Sequence, residues 1–399
     1  MKKLTNVGKF RILYTFIYFA DSIFTSFIAL YLVHLGVDNY QKGIILAIIP
    51  VAAFLGNFFF GRFSTSYKRN LIIMKVLAFV EFVSCFFIGY ITNFYLLAVV
   101  TFLYSFNNSS YFNIEDGTMT KTIKKYKTIY SNVRIFGSIG YLVGLLFASF
   151  IFDYINYTIL FMISGGAFFF AFLFLFLFDK NDYYIEPLSE NQSEASINNS
   201  EEKLGHNLFK NKNFYFYLGY ILLSVGILQI GQTTYPLYLN ALGLKDNEFA
   251  LFQGLTVVIE TVMLFSLKFI CKKFKNYKVL LMIAVFCRIF TIITMALVAN
   301  IYLMAILVMI STGLCSAFHI YSLVYYIEEV FGEKSLTRVL LYSNGINSLF
   351  IALGNFLSPY LYMNTSYSVF YYVIFAIELV GMIFLLLIQT KKNQTVTNN

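Results

Sequence analysis

The sequence predicts an all-α membrane protein with twelve transmembrane helices, on the strength of its composition and the lengths of its apolar runs. Its 399 residues are 59% hydrophobic and only 12% charged, with a mean hydropathy of +0.71, whereas soluble domains carry about 25% charged residues. The apolar residues fall into repeated runs of about 20, the length that a helix needs to cross a bilayer. Transmembrane strands would instead be about 10 residues long with alternating polarity.

Twelve apolar runs, each bounded by polar or charged residues, define the predicted spans. They cover residues 10–35, 43–63, 71–90, 94–117, 131–152, 159–178, 213–239, 250–270, 279–299, 301–326, 337–362 and 367–389. Lys and Arg are retained on the cytoplasmic side of membrane proteins. With the N-terminus inside, 26 of the 29 Lys and Arg residues lie at the cytoplasmic face, and only Lys42 and Lys245 lie outside. The sequence therefore predicts a multi-pass protein of the cell membrane, embedded in the lipid bilayer, with both termini cytoplasmic. The net charge of +9 follows this asymmetry and does not indicate nucleic-acid binding.

A polar segment divides the spans into two sets of six. Residues 179–212, rich in Asn, Ser and Glu, cannot bury a core and are interpreted as a cytoplasmic linker. It separates an N-terminal bundle, residues 1–178, from a C-terminal bundle, residues 213–399. Ala29–Gly36 reads A-L-Y-L-V-H-L-G and Pro236–Gly243, 207 residues later, reads P-L-Y-L-N-A-L-G. Two parallel six-helix repeats are the architecture of the major facilitator fold.

Ionisable residues within apolar spans are candidates for functional sites, because each costs about 2.5–3.5 kcal/mol at the bilayer centre. Glu260 in span eight, Arg288 in span nine and His319 in span ten share one predicted depth, given a rise of 1.5 Å per residue. An acid, a permanent cation and an imidazole at one level form a candidate proton relay. Asp21 lies on a polar stripe of span one together with Tyr14, Tyr18 and Thr25. The alternative is that these charges pair for structural reasons.

The stretch Asn113–Tyr141 holds a second candidate site. Glu115 and Asp116 close span four, a basic loop follows, and Arg134 opens span five. In adjacent antiparallel spans, Asp116 and Arg134 lie at one depth and can face each other. Both also lie near the cytoplasmic ends of their spans, where ordinary loop charges are common. Polar stripes on spans one, four, five, eight and ten favour the cavity-facing interpretation.

The segment Tyr130–Tyr141, Y-S-N-V-R-I-F-G-S-I-G-Y, resembles the helix-five signature of the sugar/nucleoside proton symporters among the major facilitators, the lactose permease-like and nucleoside permease-like families. The resemblance implies that an acid eighteen residues before Arg134 pairs with it and binds substrate. That acid is Asp116, and Glu115 is its adjacent substitute. Because the chain has no Trp, Tyr141 or a Phe is expected to provide the aromatic sugar platform that the resemblance implies.

The same resemblance extends to the second half of the chain. It implies that three residues are similar to the substrate and proton residues of the lactose permease-like proteins, namely Glu260, Arg288 and His319. Two positions depart from that pattern, because Ser316 and Ser322 stand where the permease has a Lys and a proton-carrying Glu. Glu260 or Asp21 is therefore expected to carry the proton.

Together these features predict a secondary active transporter, a monomeric proton-coupled symporter of a small polar metabolite, sugar-like or nucleoside-like, that works by alternating access. Its expected partners are the substrate, protons and the bilayer. No cofactor or metal is expected, and the four cysteines lack metal-binding spacing. A major facilitator exporter of drugs or metabolites and a non-transporting membrane sensor or scaffold are the alternatives. An enzyme is disfavoured, because no Ser-His or His-Asp pairing is placed around His319.

Overall fold

The computed structural model describes residues 5–64, 66–128, 131–181, 210–270, 276–332 and 336–389. Within these residues the chain forms twelve long helices and no strand, which confirms the predicted fold class. The helices are α1 (Asn6–His34), α2 (Asn39–Phe63), α3 (Tyr67–Ile88), α4 (Phe94–Lys125), α5 (Ser131–Ile151), α6 (Tyr157–Phe174), α7 (Lys212–Ala241), α8 (Asp246–Ile270), α9 (Tyr277–Leu297), α10 (Ile301–Phe331), α11 (Leu336–Asn364) and α12 (Tyr367–Leu387).

Ten of these helices are long and apolar enough to cross a membrane, counting only the described residues. The other two, α4 and α11, are long enough but more polar. The middle of α4 carries four consecutive polar residues, Asn107–Ser110, and α11 carries Ser343, Asn344 and Asn347. The chain is thus a multi-pass membrane protein that includes two unusually polar helices.

Several helices begin before the predicted spans, because polar residues outside the apolar runs cap and continue them. The side chains of Thr5, Asp38 and Ser66 each accept a hydrogen bond from a first-turn backbone N–H, of α1, α2 and α3 respectively. These N-caps satisfy donors that a helix leaves unpaired. Each of the three helices therefore starts four residues earlier than its apolar run.

The largest difference is at the end of α4. The predicted basic loop after Asp116 is wrong, because α4 continues as helix to Lys125. Lys124 and Lys125 occupy its last turn, where positive charge interacts favourably with the C-terminal end of the helix dipole. The basic residues thus extend the helix beyond the apolar run.

The two halves of the chain repeat one another in their helix ends. Gly36 and Gly243 follow α1 and α7 with φ of +66° and +95°, a left-handed conformation that glycine accepts at helix C-termini. The next residues, Val37 and Leu244, each donate a backbone N–H to the carbonyl five residues earlier, at 3.2 and 3.0 Å. The first residue of α8 follows that of α2 by 207 residues, and so does the last. These matched ends confirm the internal repeat.

The chain divides into two compact units. In terms of described residues, the N-terminal unit contains 5–64, 66–128 and 131–181 with Thr233–Val257 and Asn355–Pro359, and the C-terminal unit contains the remainder. Most of the predicted linker, residues 182–209, lies outside the described residues. The exact boundaries of the two predicted bundles therefore stay a prediction.

Within the N-terminal unit, α1 packs closely on α5 because glycines of α5 face it. A Cβ on Gly140 would overlap the backbone carbonyl oxygen of Thr15, and a Cβ on Gly144 would overlap the Ser22 hydroxyl oxygen. Small residues at such positions let membrane helices approach closely. This close contact sets the positions of the side chains on α1 relative to those on α5.

Gly140→Ala is expected to destabilise the protein by about 1–3 kcal/mol, because the Thr15 carbonyl cannot move without shifting α1. The matched control is Gly166→Ala on α6, where an added Cβ meets nothing within 4 Å and alanine favours a helix by about 1 kcal/mol. Thermal unfolding of the purified proteins in one detergent measures the difference. Equal midpoints for the two variants would show that the α1–α5 contact is not tight.

Candidate functional site

Asp116 projects from the wall of α4 rather than from a loop. It lies nine residues before the end of the helix at Lys125, which is about 14 Å along the axis. Arg134 lies in the first turn of α5 and is partly buried. Tyr130, the first residue of the signature segment, lies outside the described residues.

Tyr14 of α1 connects the predicted Asp116–Arg134 pair. Its hydroxyl donates to Asp116 Oδ1, and its buried ring stacks on Tyr18, with centroids 5.8 Å apart and 7° between the planes. The Arg134 guanidinium lies 4.2 Å from the centroid of the Tyr18 ring and 5.9 Å from that of the Tyr14 ring. We name these four residues the Asp116–Arg134 cluster. The structure thus brings the predicted pair into one cluster through two tyrosines.

Gly137 provides the space for this arrangement. A Cβ at this position would lie 2.5 Å from Arg134 Nη1 and 3.0 Å from a carbon of the Tyr18 ring. Because both atoms belong to side chains of the cluster, any larger residue at position 137 displaces the guanidinium or the ring. The first glycine of the signature segment, Gly137, therefore shapes the site.

Asp21 lies further along the same face of α1. Its Oδ1 accepts hydrogen bonds from the Tyr104 hydroxyl at 2.9 Å and from Asn108 Nδ2 at 3.1 Å. Asn108 also donates to the Tyr104 oxygen at 3.0 Å. One turn beyond Asp21, the Thr25 hydroxyl lies 3.4 Å from the hydroxyl of Tyr141. Asp21 and Tyr141 are thus arranged along one stripe with the cluster.

Tyr18 lies among the predicted substrate residues. Its phenol is within electrostatic range of Arg134, Asp116, Glu115 and Asp21. Tyr18 thus interacts electrostatically with four of the five predicted substrate residues. The ring centroids of Tyr18 and Phe112 lie 4.5 Å apart.

The structure separates the two neighbouring carboxylates of α4. Asp116 is partly exposed and accepts the Tyr14 hydrogen bond. Glu115 is fully buried, and neither of its carboxyl oxygens has a hydrogen-bond partner among the described residues. In this conformation Glu115 is therefore closed to a ligand from solvent.

The C-terminal unit contains the second predicted cluster, arranged around Arg288 of α9. Arg288 is only 1% exposed. Its Nη2 lies 2.8 Å from His319 Nδ1, and its Nη1 donates to Ser224 Oγ at 2.8 Å and to the Tyr220 hydroxyl at 3.4 Å. Its Nε donates to Cys315 Sγ at 3.3 Å. Arg288 and His319 are thus in direct contact. We name Arg288 and its four partners, His319, Ser224, Tyr220 and Cys315, the Arg288 cluster.

This contact defines the protonation state of His319. A guanidinium has N–H donors and no acceptor, so His319 Nδ1 must accept the hydrogen bond from Arg288. The imidazole is therefore neutral, with its proton on Nε2. A proton can be added at Nδ1 only when Arg288 moves away.

Glu378 of α12 joins Arg288 through Ser224. Ser224 Oγ donates to Glu378 Oε1 at 2.6 Å while it accepts from Arg288. The sequence shows Glu378 as an isolated charge, and it gives no signal for Ser224. Ser224 lies in a π-helical segment, Ile221–Gly226. Such segments often occur at functional sites.

Glu260 belongs to the same unit. Its carboxylate is within electrostatic range of Cys315, the residue that accepts from Arg288 Nε. Of the predicted relay, the structure thus places Arg288 against His319, and Glu260 lies in the same unit.

Comparisons with known proteins agree with this architecture. The sequence model described as the MFS_1 like family matches residues 8–374. The fold is similar to the crystal structure of nucleoside transporter NupG, with a TM-score of 0.77, 15% identity and coverage of 96% of this chain and 99% of that chain. The crystal structure of a NupG variant with one substitution has a TM-score of 0.77 and 16% identity, with the same coverage of both chains. The crystal structure of tetrameric PepTSo2 has a TM-score of 0.70 and 13% identity, and the match covers 97% of this chain and 98% of that chain.

At these identities the solved structures support the fold alone. None of the curated proteins matches the sequence significantly. The family match, in contrast, spans nearly the whole chain, including Asp116, Arg134, Arg288 and His319. The chain therefore belongs to the MFS_1 like family and is a secondary transporter of the major facilitator type.

Proposed function

We propose that the protein is a proton-coupled symporter of a small polar metabolite, sugar-like or nucleoside-like, which binds at the Asp116–Arg134 cluster. The observation that carries the proposal is the combination of a carboxylate, a guanidinium and two stacked tyrosine rings. Charged groups make stronger hydrogen bonds to hydroxyls than neutral groups do, and aromatic faces suit a sugar or base ring. Asp21 and Tyr141 complete the proposed substrate-binding set, whereas Glu115, the predicted substitute for Asp116, is fully buried in this conformation and is not proposed to contact substrate.

The Arg288 cluster is proposed to serve proton coupling. His319 can take a proton at Nδ1 only after its contact with Arg288 breaks, so protonation and movement of these side chains are linked. Glu260 or Asp21 is the proposed proton-carrying carboxylate. A proton that moves inward down 100 mV provides about 2.3 kcal/mol, which supports about a 50-fold accumulation of substrate.

The topology follows from the distribution of basic residues. We propose that the protein lies in the cell membrane with both termini in the cytoplasm, since Lys and Arg concentrate on one side of the predicted spans. It is proposed to act as a monomer and to need no cofactor.

Uptake into proteoliposomes tests the proposed function. Purified protein is reconstituted, and labelled nucleosides and sugars are supplied with an inward proton gradient or with none. We expect accumulation only with the gradient, together with substrate-dependent alkalinisation outside. Accumulation that is independent of the gradient would contradict proton coupling. Acid-driven efflux would identify an exporter, and no flux of any substrate would favour a sensor or scaffold.

A further inference from the structure

Two glutamates of the N-terminal unit are buried without hydrogen bonds. Glu81 on α3 and Glu115 on α4 are both 0% exposed, and none of their four carboxyl oxygens has a partner among the described residues. Buried polar groups are normally hydrogen-bonded. Two such unpartnered carboxyls in one unit therefore raise the question of their protonation state.

The two glutamates lie on α3 and α4, which pack against each other. Glu81 is within electrostatic range of Asp21 and Glu115. The hydroxyl of Tyr111, also fully buried and without a hydrogen-bond partner, is within range of both glutamates. This unpartnered hydroxyl is an observation independent of the carboxyls, and the buried polar region formed by Glu81, Glu115 and Tyr111 is called the pocket below.

The charged and titratable groups around the pocket are mostly acids and phenols. They are Tyr18 and Asp21 of α1, Cys85 of α3, Tyr104, Tyr111 and Asp116 of α4, and Arg134 of α5. The cation of this set, Arg134, lies over the Tyr18 ring. An ionised carboxylate without a partner in such a site is far more costly than a neutral acid.

We propose that Glu81 and Glu115 each hold a proton in this conformation and together form a coupling-ion site of the N-terminal unit. The ligand is the proton, bound as O–H on each carboxyl, and its release requires water or a cation to reach the pocket. This proposal rests on the proposed symport and adds a site to it. The Arg288 cluster is then not the sole place where protons are exchanged.

Glu115 connects this site to substrate. It precedes Asp116 in the chain and is within electrostatic range of both Asp116 and Arg134. A substrate that engages Arg134 changes the positive charge that Glu115 experiences. Substrate binding and proton binding at neighbouring positions of α4 are thereby linked.

Infrared spectroscopy tests the protonation without any transport. The C=O stretch of protonated carboxylic acids is recorded for the purified protein at neutral pH and compared with Glu81→Gln, Glu115→Gln and the double variant. Gln has the shape of the neutral acid, so folding is expected to persist. We expect each single variant to lose one band and the double variant to lose both. The matched control, Glu328→Gln at an exposed site of α10, should lose none.

Retention of all wild-type intensity in the double variant would overturn the proposal. So would loss of the wild-type bands on adding Na⁺, because the pocket would then bind sodium instead of protons. The proteoliposome assay separates this inference from the proposed function. We expect Glu81→Gln, which leaves all the proposed substrate residues intact, to exchange substrate within about twofold of wild type but to lose most of the roughly 50-fold accumulation that 100 mV supports. Wild-type accumulation in this variant would also reject the site while leaving symport intact.

Discussion

Asp116→Asn is expected to weaken substrate binding by about 100-fold. A hydrogen bond to a charged group contributes about 1.5–3 kcal/mol, and this substitution removes the anionic acceptor of both the substrate and the Tyr14 hydroxyl. Arg134→Ala is expected to be at least as severe, because it also removes the cation from the Tyr18 ring. Isothermal titration with the transported substrate, followed by counterflow in proteoliposomes, measures both effects.

A graded variant and a matched control sharpen this test. Tyr14→Phe keeps the stacked ring but loses the hydroxyl, so Asp116 loses its anchor, and we expect a drop of about tenfold, or about 1.4 kcal/mol. The control is Arg62→Ala, which removes an exposed guanidinium that lies 4.4 Å from the Phe58 ring centroid and should leave affinity unchanged. Full transport by both Asp116→Asn and Arg134→Ala would show that substrate binds elsewhere.

The fold could be predicted because a membrane imposes simple rules on a sequence. All backbone polar groups must be paired inside the bilayer, so apolar runs of about 20 residues indicate helices. The repeat is visible in Ala29–Gly36 and Pro236–Gly243, and the structure shows it again in the matching C-terminal ends of α1 and α7. The end of α4 was not predictable from hydropathy, since its last turns are polar and the continuation to Lys125 depends on helix formation alone.

The site was predictable in its charges and not in its partners. Asp116 and Arg134 could be paired from their spacing, and the polar stripe of α1 placed Tyr14 and Tyr18 in phase with Asp21. No pattern showed that these tyrosines connect the pair, because that depends on how closely α1 approaches α5. The different directions of Glu115 and Asp116 follow from helix geometry, since adjacent residues on a helix point about 100° apart. Which of the two is buried depends on the helices that pack against α4.

Arg288→Met is expected to be the most destabilising single change discussed. It leaves Glu378 buried with Ser224 and without the guanidinium, and breaking a buried charge pair on one side costs about 3–5 kcal/mol. Arg288→Lys should recover little of this loss, because an ammonium lacks the planar fork that reaches Ser224, His319 and Cys315 together. Thermal unfolding of the purified variants in one detergent measures the loss.

The double variant Arg288→Met with Glu378→Gln distinguishes a charge pair from simple packing. Removing both charges leaves no stranded ion, so we expect it to recover at least half of the loss, whereas independent effects would add. His319→Ala is the smaller reference, because it removes one neutral acceptor from Arg288 and is expected to cost about 1–3 kcal/mol. If the double variant unfolds no later than Arg288→Met, the hydrogen-bonded path through Ser224 contributes no stability, and Glu378 is held by its surroundings alone.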